Sequence, residues 1–197
     1  MLREDVVFNF FQKRKLRRAE ESLNKLAFIS RVQEMRENAG LPKADLPLEN
    51  LVLFFAMNVA DMVFRIAKNS ATPEANADAV EKAAMLVVFT QSVHMAARKA
   101  GITDTATKSV VMQNGMAGLL RTDLDSPTPQ AQAEMSLAVN AYQALSSERL
   151  PTLRRLDELA NSYFVSETDE SLHGLVGCWR EIVAFLKGKE AATPNHA

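Results

Sequence analysis

Leu48–Lys68 reads LENLVLFFAMNVADMVFRIAK, and at about 100° per residue its polar members Asn50, Asn58, Asp61, Arg65 and Lys68 fall on one narrow strip. Nearly every other position is apolar, so a helix here buries most of its circumference and belongs at the centre of a fold. Ala83–Ala97, AAMLVVFTQSVHMAA, has the same character, interrupted mainly by Thr90, Gln91, Ser92 and His94. No segment keeps the period-two alternation of a half-buried strand, and there is no internal repeat or low-complexity tract. The chain reads as all-α.

Working outward toward the N-terminus, Gly40–Pro47 holds one Gly and two Pro and reads as a linker. Residues 3–39 contain neither Gly nor Pro and are rich in Glu, Arg, Lys, Leu and Ala. They predict one helix of about 55 Å, or two helices meeting at a weak joint. Toward the C-terminus, Ser70–Asn76 is a loop, Asp78 opens a third helix, Gly101 closes it, and Thr103 or Asp104 can cap a fourth helix over Val110–Leu120. Asp123–Pro129 breaks the chain before a fifth helix carrying Met135, Ala138, Val139, Tyr142 and Leu145 on one face. Pro151 separates a sixth helix with the stripe Leu153, Leu156, Ala160 and Tyr163. A seventh follows with Leu172, Leu175, Val176, Trp179, Ile182, Val183 and Leu186. The expected architecture is a helical bundle of about seven helices. Residues 1–39 form a long N-terminal helix, 48–190 the bundle core, and 191–197 a disordered tail.

The chain has 197 residues, 47% hydrophobic and 24% charged, enough for one substantial core. Its net charge of -1 draws it neither to nucleic acid nor to an anionic membrane, so any such attraction needs a local cluster. Residues 1–100 carry 15 Lys or Arg against 12 Asp or Glu, and residues 101–197 carry 8 against 12, with the excess of cations gathered near the start. The single cysteine, Cys178, excludes an intramolecular disulfide and any multi-cysteine metal site, and a cytoplasmic location is the expectation. Met1–Asp5 already contains both charge signs, and the apolar run Val6–Phe11 is broken by Asn9, so no secretory signal is expected. The longest stretches free of Asp, Glu, Lys and Arg, Ala83–Ala97 and Met135–Ser147, are shorter than the roughly 18–20 residues a bilayer requires.

The one clear departure from a bundle average is the N-terminal segment. Val6, Val7, Phe8, Phe10 and Phe11 are followed at once by Lys13, Arg14, Lys15, Arg17 and Arg18. Val6, Val7, Phe10 and Phe11 share a helix face to which Phe28, Ile29, Val32, Met35 and Ala39 return, and between them that face is interrupted by charge. These cations are either solvated or paired with acids of the C-terminal half. Alternatively, residues 2–18 are a docking element in which Phe8, Phe10 and Phe11 anchor a partner and Lys13, Arg14, Lys15, Arg17 and Arg18 orient it. The partner is then a protein, including a second copy in a homo-oligomer, with an anionic membrane surface as the other possibility. Nucleic acid is disfavoured, because no second basic helix or reading motif accompanies the cluster.

A second candidate lies on the seventh helix. His173, Gly174, Leu175, Val176 and Gly177 resemble the histidine phosphotransfer domains, helical bundles whose exposed histidine is followed by leucine two, lysine three and glycine four residues on. Leu175 and Gly177 match, whereas Val176 stands in the lysine's place. The resemblance implies a phosphate-accepting or enzyme-like role for His173, with Glu170 and Arg180 beside it.

No cofactor or metal is expected. Glu170 and His173 form one Glu-x-x-His pair of the kind used in helical di-iron sites, but Gln91 precedes His94 where the second carboxylate is needed. Asp123, Asp125 and Glu134 match three positions of a calcium loop, yet Pro127 and Thr128 occupy the positions of a ligand and a glycine. The preferred reading is a non-catalytic interaction protein docking through its N-terminal aromatic and basic helix. The alternatives are the His173 site and a small-ligand pocket between the second, third and seventh helices.

Overall fold

The structure is a computed structural model describing residues 2–69, 77–123, 125–147 and 151–192, with side chains described from residue 13 to residue 188 within those ranges. Seven helices follow in order: α1 (Leu2–Asn38), α2 (Leu48–Lys68), α3 (Ala79–Ala100), α4 (Thr105–Leu120), α5 (Pro129–Ser147), α6 (Pro151–Ser166) and α7 (Asp169–Ala192). Among the described residues there is no strand. The expected all-α bundle of about seven helices is the observed one, and the long first helix is continuous. The expected tail enters the described range only at Ala191 and Ala192, the last residues of α7, and 193–197 lie outside it.

The helix ends follow from local chemistry. Gly40 and Gly101 take left-handed backbone angles, φ 77° and 74°, where a glycine carries no Cβ penalty. Asp78 caps α3 by accepting from the Glu81 N–H at 2.8 Å, while the Glu81 carboxylate accepts from the Asp78 N–H at 3.1 Å. Glu81 also takes Lys68 Nζ at 2.8 Å, tying the end of α2 to the start of α3. Helix α4 begins at Thr105, earlier than the apolar pattern implies, because Asp104 accepts from the Thr107 N–H at 2.7 Å and nucleates a polar first turn.

Helix α3 packs against all six others. Its apolar residues face neighbours on nearly every side, and its buried hydroxyls are satisfied within the helix. Thr90 Oγ1 donates to the Leu86 carbonyl and Ser92 Oγ to that of Val88, at 2.8 and 2.9 Å. Helix α2 lies alongside and contributes Leu51, Val52, Phe55, Val59, Val63 and Phe64 to the core. With 21 residues and mean hydropathy 1.5, α2 is long and apolar enough to cross a membrane by length and composition; in this fold that apolar surface packs chiefly against α3, α4 and α7. Phe64 and Trp179 meet edge-on at 6.1 Å where α2 approaches α7, and the Trp179 indole N–H donates to the Glu81 carbonyl at 3.3 Å.

Among the described side chains of α1, those from Phe28 onward join this body. Phe28, Val32 and Met35 are buried, and Phe28 stacks on Phe164 of α6 at 5.5 Å, with Phe55 of α2 edge-on to the same ring at 5.6 Å. Arg31 reinforces the junction, its Nε donating to the Phe164 carbonyl at 2.9 Å and its Nη2 reaching Glu167 at 2.7 Å. The linker turns back beside it, where Gln33 Nε2 donates to the Ala44 carbonyl at 2.7 Å.

Candidate functional site

Upstream of Phe28 the helix continues without a break, because nothing in residues 3–39 disrupts it. Every residue from Lys13 to Ala27 is exposed, so about 22 Å of helix runs clear of the body before Phe28, the first buried side chain among the described residues. Lys13, Arg14, Lys15, Arg17 and Arg18 all lie on this arm. Among the described residues only Arg17 of the five has an ion pair, and its acid is Glu21 on the same helix, at 3.2 Å with both side chains well exposed. Several acids of the C-terminal half are engaged elsewhere: Asp157 with Arg98, Glu181 with Arg155, Glu134 with Lys82. The side chains of Phe8, Phe10 and Phe11 lie outside the described residues.

The arm also carries features that the charge pattern conceals. Leu16, Leu23 and Leu26 are 63, 66 and 63% exposed. They sit among the cations, so a reading that follows the core stripe of Phe28 and Val32 backward along the helix passes them by. The cations Arg14 and Arg18, with Lys25, continue the line of the body-facing residues, whereas the three leucines lie roughly opposite.

On α7, Glu170, His173 and Arg180 are all exposed. His173 Nδ1 donates to the Asp169 carbonyl at 2.7 Å. Among the described residues no hydrogen bond or ion pair joins these three side chains, and none of them lines either cleft described next. Gly174 serves packing: a Cβ there would lie 2.8 Å from a methyl of Leu159 on α6.

Two open clefts are lined by the described residues. One, of about 340 Å³, is lined by Phe54, Met57, Asp61 and Arg65 of α2, Met85 of α3 and Leu119 of α4. The other, of about 440 Å³, lies where α3, α4 and α5 meet and is lined by Gln91, His94, Arg98, Ile102, Lys108 and Tyr142. Its polar groups form a chain: the Tyr142 hydroxyl donates to Gln91 Oε1 at 2.9 Å, Gln91 Nε2 donates to Asp157 at 3.1 Å, and Arg98 donates to both Asp157 oxygens at 2.9 and 2.7 Å. His94 rests against the Tyr142 ring at 5.9 Å. Burial lowers its pKa below the usual imidazole value, and the nearby Lys108 and Arg98 push the same way, against a smaller opposing effect of Asp157. The ring forms a half-buried wall of the cleft. The polar residues Thr90, Gln91, Ser92 and His94, with Arg98 one turn on, were the available signals.

Cys178 is buried, and burial raises its thiol pKa, with Arg155 Nε 3.5 Å from Sγ opposing the shift. Among the described residues no three His, Cys, Asp or Glu side chains converge as metal ligands. No protein-family model, curated protein or solved structure matches the chain.

Proposed function

We propose that this protein is a non-catalytic interaction module whose α1 arm is held out by the bundle to engage a protein partner bearing acidic surface. The observation that carries the reading is the unbroken exposure of residues 13–27, a basic helix that makes no packing contribution to the body. A solvated helix of this length is marginal when it stands alone, and here it is anchored at one end by Phe28, Arg31 and Val32. Anchoring lowers the entropy lost when the arm is captured, and the cations supply orientation and salt-sensitive attraction. Phe8, Phe10 and Phe11 extend the same helix and supply apolar anchors beyond the cations.

The test compares wild type with Arg14→Glu/Arg17→Glu/Arg18→Glu in affinity capture from native extract at low and high salt, beside thermal unfolding of each. Wild type retains a partner that is released by salt, while the charge-reversed protein captures none and unfolds at the same temperature. Equal capture by both proteins refutes the reading. Loss of co-sedimentation with phosphatidylserine vesicles, with no protein captured by either form, reassigns the arm to a membrane surface.

A further inference from the structure

We propose that Leu16, Ala19, Leu23 and Leu26 form the seam of a parallel two-stranded coiled coil joining α1 to α1 of a second copy of this chain. The proposal rests on the arm being the docking element and identifies what one of its faces takes. The spacing of Leu16, Ala19, Leu23, Leu26 and Ser30 alternates three and four residues, the period of a heptad seam. At about 100° per residue these positions fall within an arc of roughly 80°, and three of them are leucines that stand 63–66% exposed.

The body is placed to permit such pairing. Phe28, Val32 and Met35, which fasten α1 to the bundle, lie roughly half a turn around the helix from the seam, and Arg31, which grips α6 and Glu167, about a quarter turn. Two arms can therefore meet along the leucines with the two bundles on the outer flanks. The pairing stops near Ser30, because Gln33, at the next seam position, is held by the Ala44 carbonyl of the linker.

Charge selects the occupant and its direction. With Leu16 and Leu23 at a and Ala19 and Leu26 at d, Lys15 falls at g and Glu20 at the following e. In a parallel homodimer the g residue of one helix faces the e residue five positions on in the other, so Lys15 meets the second copy's Glu20 twice by symmetry. An antiparallel pair sets e against e and brings the two Glu20 side chains together instead. Lys15 is exposed and has no ion pair among the described residues, and Glu20 likewise. The seam from Leu16 to Ser30 is about 21 Å long. An interface of this size is small, so association belongs in the micromolar range.

Sedimentation equilibrium of the full chain, from low to high micromolar concentration, tests the proposal. The expected result is a monomer–dimer equilibrium that Leu23→Glu weakens by at least about 100-fold. The unfolding temperature of the dilute protein stays the same, since that side chain touches nothing in the body. Lys15→Glu and Glu20→Lys each weaken the dimer several-fold, and the double exchange restores it. A chain monomeric throughout, or a dimer indifferent to Leu23→Glu, overturns the seam, and failure of the double exchange to restore affinity overturns the parallel register. A Leu23→Glu monomer that still captures its partner through Arg14, Arg17 and Arg18 is compatible with the seam. Dimerisation as described, with capture unaffected by reversing those three arginines, sinks the docking reading and leaves the seam standing.

Discussion

Gly115 shows how one residue sets a helix contact. A Cβ built at this position of α4 would lie 2.0 Å from the Phe89 ring of α3, inside the core, so the glycine is what allows the ring to occupy its place. Gly115→Ala must push Phe89 or separate the helices, and a loss of about 1–3 kcal/mol is expected in urea unfolding. Gly177 of α7 has open space around its would-be Cβ. Gly177→Ala accordingly gains about 0.5–1 kcal/mol by restricting the unfolded chain, and equal effects at the two sites would contradict the packing. His94 supplies a pH dependence at the same scale. Its pKa is lowered in the fold by burial first and then by Lys108 and Arg98, so the unfolded chain takes up the proton at a higher pH than the native one. Stability is therefore fully present above the unfolded histidine value, near 6.5, and declines as pH falls from there through the lower native value. His94→Gln removes that slope. Lys108→Met raises the native pKa, which an NMR titration of the imidazole signals records directly.

At the scale of elements, the contact between α3 and α5 turns on a buried charge. Glu134 is only 2% exposed and is held by Lys82 Nζ and Gln130 Nε2, each at 2.9 Å. Lys82→Met leaves that carboxylate in the interior with the glutamine alone, and a loss of about 2–3 kcal/mol is expected in chemical denaturation. The double replacement Lys82→Met/Glu134→Met costs less than the single one, because no orphaned charge remains. A single variant as stable as wild type would show that Glu134 is solvated after all. Helix α1 presents the opposite situation. Its first half takes no stabilisation from packing among the described residues and depends on continuity with the anchored second half. That dependence explains why its charge could not be assigned from periodicity: the same wheel face is basic at Arg14 and Arg18 and apolar at Phe28 and Val32, and the change marks where the body ends.

For the whole molecule, the order, number and class of the helices were legible in the residues. Gly40, Gly101 and the proline-containing breaks mark ends whose chemistry is local, and the all-round apolar character of Leu48–Lys68 and Ala83–Ala97 places both helices inside whatever they pack against. The candidate site was legible in part. The basic cluster is visible as composition, but its freedom from the acids of the C-terminal half depends on where Asp157, Glu181 and Glu134 find other cations. The leucine stripe is recognisable only because Phe28 is the first buried residue of α1 among those described. Helix propensity, capping and buried-face width depend on neighbours a few residues away, and one sequence suffices to state them. Which face of an exposed helix stays uncovered, and which carboxylate a given arginine meets, depends on residues far apart in the chain, and their positions exist only once the bundle has closed.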